Sequence, residues 1–487
     1  MNLTYVLALL LPVCAGIALY LACCGLAAPA ERCSALGYGA LFGLLLAAAM
    51  TSLSARADTL HAWLHAAIWL VAVGVIALIF AWRRRVRIAP LSSTEKPAAP
   101  SKSWQRALLV LLGATLVLRV ALVAREIWLR PLYPWDAWSA WAVKGKVWYL
   151  LGHHVAFGAL SDWVAAAHAN LYTMSAWFYP DALAWLEVWF ASAAGGWIEP
   201  LINLPWLIVW IALLLGHYGQ WRMLGLCRER ALFFVYVLGS LPLLTVHAAL
   251  AGYADLWVAA LFGFGVLAWV RWLQQRSRAQ LALAFVCALT LPFLKLEGWV
   301  WMAALLLAIG FGALPSRWRK RVSLALVALV VAFLLGGLRF AFAKLGWIDA
   351  QGAPIDPRMN AFALLLNLRW HGDAVLGILD ALYAHSNWHL LWWLLPAVVI
   401  WRWRELTAHE RLWLPGLFLL GCFAAIVLLF TLTDAAGWAQ NFTAVNRLVL
   451  QLTPAIVSLV ALLLCDAQLP ARSYDTDRAR DPRIDPV

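Results

Sequence analysis

Charge is what this 487-residue sequence has least of. Asp, Glu, Lys and Arg make up 13% of it, against 64% hydrophobic residues and a mean hydropathy of +0.80. A water-soluble chain cannot hide that much apolar surface. Strand-length segments that alternate apolar and polar residues are also lacking, which argues against an outer-membrane barrel. The eight cysteines form no CxxC or CxxH pair, and the adjacent Cys23 and Cys24 close an apolar run. They read as buried apolar thiols, not as a disulfide framework or a metal site. The N-terminus, MNLTYVLALLLPVCAGIALYLACC, has no positive n-region, so a first membrane span is expected there and not a cleaved signal peptide. Acids are scarcer than bases, yet the net charge of +13 forms no single patch. It lies in short basic clusters between apolar runs, the pattern of cytoplasmic loops and not of a nucleic-acid surface.

Apolar runs of about 20 residues, each able to cross a bilayer core of about 30 Å, recur along the whole chain. The expected fold is therefore all-α: a polytopic membrane protein with spans at 4–26, 35–54, 61–82, 105–125, 200–217, 231–249, 255–272, 280–296, 298–314, 321–343, 388–401, 411–432 and 445–465. The segment RRRVRIAPLSSTEKPAAPSKSWQR is basic and rich in Pro and Ser, a cytoplasmic linker between the third and fourth spans. Counting outward from it puts HYGQWRMLGLCRER, RWLQQRSR, PSRWRKR, WRWRELTAHER and the polar tail after Cys465 all inside. Residues 126–199 form the first large outer loop, and the N-terminus is outside. The apolar stretch at 179–197 is read as a re-entrant or interfacial amphipathic helix, because a span there would invert every later basic loop. The chain divides into a three-span extension (1–82), a linker (83–104), a transmembrane core (105–465) and a disordered cytoplasmic tail (466–487).

With this alternation the remaining ionisable residues gather on the outer side. Asp136, Lys144 and Lys146 lie in the first outer loop, Asp255 in AGYADLW, and Lys295 and Glu297 in LPFLKLEGW. Arg339 and Lys344 end a later span, and Arg447 opens the last. Each has a bland explanation. Asp136 and Asp255 could cap helices, the first of them ending at Gly152. The tryptophans could be an interface belt, and Arg447 a span-end anchor. Lys295 and Glu297, two apart, share no helix face unless a turn bends them together. His153, His154 and His168 have no ligand spacing to acids. Several such groups on one face are what carries information. An acid beside cations at the outer membrane surface suits transfer of a sugar from a lipid phosphate. Lys or Arg would stabilise the leaving phosphate, a carboxylate would take the acceptor's proton, and aromatic rings would line the path.

The motifs YPWDAWSAWAVKGKVWYL, AGYADLW, LKLEG and VNRLVLQLTP, in this order over about residues 130–455, resemble the GT-C superfamily of polyprenyl-phosphate-dependent glycosyltransferases. That group includes the protein O-mannosyltransferases and the bacterial aminoarabinose transferase. The resemblance implies Asp136 as catalytic base and Asp255 as a second acid. It implies Lys295, Arg447 and Arg339 on the donor phosphate, with Trp135, Trp138, Lys144, Glu297 and Tyr253 binding substrate. It further implies a polyprenyl-phosphate-linked sugar donor, a glycan, glycolipid or protein acceptor, membrane lipids as surroundings, no nucleic acid, and no metal or other cofactor. The setting would be the bacterial inner membrane with the active site facing the periplasm. The sequence departs from the family in having no acid pair after Asp136, in the extension at 1–82, and in having no large outer domain after the last span. Two other readings are an O-antigen polymerase or ligase, using Arg358, Arg369, His371 and His385 of the 344–387 loop, and a lipid or ion transporter. The latter is disfavoured by the absence of repeats and midplane acids.

Overall fold

The computed structural model describes residues 2–464, apart from 27, 58–61, 85–102, 133, 166–170, 333–334, 337, 350–364 and 366–367. Arg358, His168 and the tail after Leu464 therefore lie outside the described residues. The helices up to residue 344 are α1 (Leu3–Cys24), α2 (Glu31–Ala57), α3 (Ala62–Arg83), α4 (Ser103–Leu129), α5 (Ala142–Leu151), α6 (Leu160–Ala165), α7 (Ala182–Ala194), α8 (Glu199–Met223), α9 (Arg228–Ser240), α10 (Pro242–Ala249), α11 (Asp255–Gln275), α12 (Arg278–Thr290), α13 (Glu297–Ala313), α14 (Ser316–Ala332) and α15 (Leu338–Lys344). Among those that follow are Leu391–Trp401, Glu410–Leu432 and Val445–Leu464. The only described strands are two parallel three-residue pieces, Ala156–Gly158 and Leu171–Thr173.

Eight of the described helices are long and apolar enough to cross a membrane: α1 to α4, α8, α11, Glu410–Leu432 and Val445–Leu464. The pair α9 and α10, bent by 63°, makes a ninth when its two pieces are counted as one broken span. The break has a local cause: Pro242 has no N–H to continue the helix, and Leu241 before it is extended at ψ 121. Thirteen spans were expected from the sequence. The other four runs give shorter pieces. α12 ends at Thr290 in a 3₁₀ turn, Leu291–Phe293, that contains Pro292. α13 and α14 have 17 residues each, about 25 Å of helix, and Leu391–Trp401 has 11.

The helices alternate in direction, which sorts the chain's charges. At one end, Tyr5 Oη donates to Leu201 O and Trp206 Nε1 to Tyr253 O, so the starts of α1, α8 and α11 lie together. At the other, Arg271 pairs with Glu31 at 2.9 Å, Arg276 and Arg319 both reach Glu410, and Arg402 donates to Leu463 O. The basic loops thus share the second end. α11 forms the axis, with every residue from Asp255 to Leu273 buried. A helix apolar on all sides is a buried one.

One sequence expectation changes. The 179–197 stretch does contain a helix, α7, but not an amphipathic one. Leu183 to Ala191 are all buried, Glu187 included, against α1, α2, α3 and α5. The described helices of the extension at 1–82 pack directly on the core. α2 packs along α8, Tyr38 stacks on Phe264 of α11 with ring centroids 4.1 Å apart, and one continuous apolar core runs from Tyr5 to Leu463.

Candidate active site

At the end opposite the basic loops, five ionisable side chains, acidic and basic in turn, form a chain: Asp136, Arg447, Asp255, Lys295, Glu297. Asp255 is its centre. It is the first residue of α11, where the helix dipole favours an anion, and its side chain is fully buried. Oδ1 accepts from Lys295 Nζ at 2.9 Å and from Gln451 Nε2 at 2.6 Å. Oδ2 accepts from Arg447 Nε at 2.9 Å and Nη2 at 2.7 Å. Four donors fill the four acceptor positions of a carboxylate. A helix cap is therefore not its role; it collects cations from two other segments.

Arg447 lies in the first turn of Val445–Leu464 and uses both edges of its guanidinium. The Nε–Nη2 edge faces Asp255. The Nη1–Nη2 edge faces Asp136, with Nη1 donating to Oδ1 at 3.2 Å and Nη2 bonded to Oδ2. The Tyr253 ring lies 4.9 Å from its Cζ, a cation–π contact. Asp136 is already in helical conformation (φ −62°, ψ −34°), makes no side-chain cap bond, and precedes a π-helical turn, Ala137–Trp141. The chain after it ends at Gly152 in the left-handed region, as expected. Neither Asp136 nor Arg447 is thus explained by capping or by anchoring at the surface.

Lys295 and Glu297 do meet, at 3.1 Å, because the 3₁₀ turn and the start of α13 bend the LKLEG segment. Gly298 makes that bend possible: a Cβ there would lie 2.1 Å from Leu291 O. Gly252 has φ +113°, and a Cβ on it would lie 2.7 Å from Ala137 Cβ, so the AGYAD turn fits directly against the π-helical turn after Asp136. Exposure differs along the chain. Side chains are 16% exposed at Asp136, 23% at Arg447, 0% at Asp255, 4% at Lys295 and 31% at Glu297. Asp255 and Lys295 are sealed, and Asp136, Arg447 and Glu297 are partly accessible. Three carboxylates face two cations, leaving one negative charge in excess.

Three further residues build the site that the sequence did not single out. Gln451, one turn after Arg447, accepts from Trp301 Nε1 while donating to Asp255. His247 of α10 is buried, with its ring 4.9 Å from that of Tyr253. Its Nδ1 lies 2.9 Å from Leu243 O; a carbonyl only accepts, so Nδ1 carries the proton. Tyr179 lies within electrostatic range of Glu297, Lys295, Asp136 and Arg447, and burial raises its phenol pKa. Lys144 holds it in place without touching Asp255 itself. Its Nζ donates to Tyr179 O and to Asp181 Oδ1, both at 2.7 Å. Burial lowers the pKa of Lys144, and Asp181 opposes that shift. Trp141 meets Tyr179 edge-on at 5.6 Å.

The other candidates take outer positions. Trp135 is 74% exposed, and Trp138 is exposed while donating to Leu132 O. Arg339 is exposed on α15 and is not among the described partners of Asp136 or Asp255. In the late loop, His371 lies 3.7 Å from Asp434, and His385 packs on the Phe442 ring at 4.4 Å. Gln451 was within reach of the sequence, being four residues from Arg447 on one helix face. Neutral Tyr179 and His247 gave no signal in an aromatic-rich apolar chain. The chain matches none of the family models, curated proteins or solved structures with which it was compared.

Proposed function

We propose that this chain is a membrane glycosyltransferase that moves a sugar from a polyprenyl-phosphate donor to an envelope glycan, glycolipid or protein. The observation that carries this reading is the alternating cluster. Four segments far apart in sequence deliver a partly accessible carboxylate, an arginine that this carboxylate shares with Asp255, and a buried pair that fixes the arginine's position. In the proposed step an acceptor hydroxyl loses its proton to Asp136 while its oxygen bonds to the sugar's anomeric carbon. The bond from that carbon to the phosphate oxygen breaks, and its electron pair leaves on the phosphate. The leaving polyprenyl monophosphate gains one negative charge, which Arg447 stabilises with Lys295 behind it. Asp255, with all four acceptor positions filled, positions these cations and is no base. Tyr253 and the exposed Trp135 and Trp138 are suited to line the sugar and acceptor path.

In this reading the four shorter runs are shortened crossings. Lys295 stands at the site end while Arg276 and Arg319 stand at the basic end, which supports reading α12 and α13 as two of these crossings. The basic end then faces the cytoplasm and the cluster the periplasm. The test is transfer of a labelled sugar from a polyprenyl phosphate by purified protein in nanodiscs. Asp136→Asn keeps the size of the side chain and loses its basicity, and turnover is expected to fall roughly 10²- to 10⁴-fold. Turnover near that of the wild type would remove Asp136 as base and with it this mechanism.

A further inference from the structure

The cluster poses an electrostatic problem for the donor. A sugar-linked polyprenyl phosphate carries a negative charge, yet the site already holds three carboxylates against two cations. Lys295 offers no free face: its side chain is 4% exposed and lies between Asp255 and Glu297. Arg447 is the more accessible cation, but its Nη1–Nη2 edge, the edge that grips a phosphate with two parallel N–H bonds, is occupied by Asp136. The two carboxylates on Arg447 are not held alike. Asp255 is buried and is bonded to Lys295 and Gln451 as well. Asp136 has only Arg447 among its described hydrogen-bond partners and has a water-accessible surface to move into.

Resting on the donor reading above, we propose that Arg447 exchanges partners. The donor phosphate displaces Asp136 from the Nη1–Nη2 edge, Asp255 keeps the Nε–Nη2 edge and so keeps the guanidinium in place, and the released Asp136 becomes the base. While the pair is closed, both Asp136 oxygens face the N–H groups of Arg447; once released, they can face an acceptor hydroxyl. The base then becomes available only when the donor is seated, which imposes an order of donor first and acceptor second. It also protects the site from activating water while empty. After transfer Asp136 holds the acceptor's proton, which passes to water as the polyprenyl monophosphate leaves and the Asp136–Arg447 pair closes again.

The proposal makes an unusual demand: removing the base must improve donor binding, because Asp136 competes with phosphate for one edge of Arg447. The probe is decaprenyl monophosphate, titrated against the full-length protein in nanodiscs. Asp136→Asn and Asp136→Ser are both expected to bind it about tenfold more tightly than wild type. Glu297→Gln removes an equal charge from the other end of the cluster and is expected to stay within about threefold. In an Arg447→Lys background, which has no second edge to free, the gain from Asp136→Asn should vanish. Equal or weaker binding by both Asp136 variants overturns the exchange, and so does a gain for Glu297→Gln as large as that for Asp136→Asn. If wild type and all variants fail to bind the probe, the polyprenyl-phosphate reading falls with it. If wild type binds and the variants match it, only the exchange is lost.

Discussion

Asp136 and Asp255 are the same residue on the same arginine, yet their surroundings make them opposites. Asp255 is sealed, so replacing it with Asn leaves the buried Lys295 and the half-buried Arg447 without their shared anion. Breaking a buried pair in this way costs about 3–5 kcal/mol, whereas an exposed pair is worth about 1 kcal/mol or less. Asp255→Asn is therefore expected to lower the unfolding temperature strongly, and Asp136→Asn, which leaves Arg447 still held by Asp255, to lower it less. Scanning fluorimetry on the two purified variants separates these outcomes. Glu187 offers a second residue-level test. Both of its oxygens are buried without a hydrogen-bond partner, Oε2 lies against Gly145, and desolvation raises its pKa well above the ordinary carboxyl value. A folded state that keeps a proton which the unfolded chain releases loses stability as pH rises above the ordinary carboxyl range. Glu187→Gln should remove that loss, raising the melting temperature by roughly 2–4 °C at pH 8 and by less at pH 5. The same rise at both values would show that the carboxyl is ionised in the folded protein.

At the scale of elements, the site depends on where helices stop. The LKLEG turn puts Lys295 under Asp255 and sets Glu297 beside it only because Gly298 lets α13 start against Leu291. Gly298→Ala must push that turn open, since its Cβ would lie 2.1 Å from a carbonyl oxygen. Transfer is expected to fall at least tenfold, in line with a small displacement of a group that stabilises the leaving phosphate. Gly310, on the same helix, has nothing within 4 Å of the place where an added methyl would sit, so Gly310→Ala should keep full activity and strengthen the helix slightly. Equal losses in the two variants would mean that α13 tolerates no alanine and that the turn has no special part. This level was only partly legible in the sequence. Lone charges in an apolar chain stand out, so Asp136, Asp255, Lys295 and Arg447 could be named and expected to converge. Helix breaks are set by packing as well as by Pro and Gly. Pro242 and Pro292 were visible, yet the pieces of helix they leave, and the burial of α7 on all sides, depend on neighbours that composition does not reveal.

At the scale of the whole molecule, charge is sorted between two ends, and both ends take part in holding the bundle together. The basic end is tied by Glu31 to Arg271, a pair that joins the first three helices to the central α11 with both side chains 4% exposed. Removing residues 1–82 would leave Arg271 buried without its anion and uncover the face of α8 on which α2 lies. The truncated chain is expected to yield little monodisperse protein in detergent, although the proposed chemistry sits at the other end. The sorting also predicts an orientation. Arg276, Arg319 and Arg402 share the basic end, and basic loops are retained in the cytoplasm, so the Asp136 end should face outward. A membrane-impermeant thiol reagent added to intact cells should therefore label a cysteine placed at Asp162, next to exposed Trp163 in the first outer loop. It should leave one at Trp318, in the first turn of α14, unlabelled until the membrane is opened, with the native reactive thiols removed beforehand. The reverse pattern would put the cluster in the cytoplasm, where water-soluble nucleotide sugars are at hand, and would take away the reason for a lipid-linked donor.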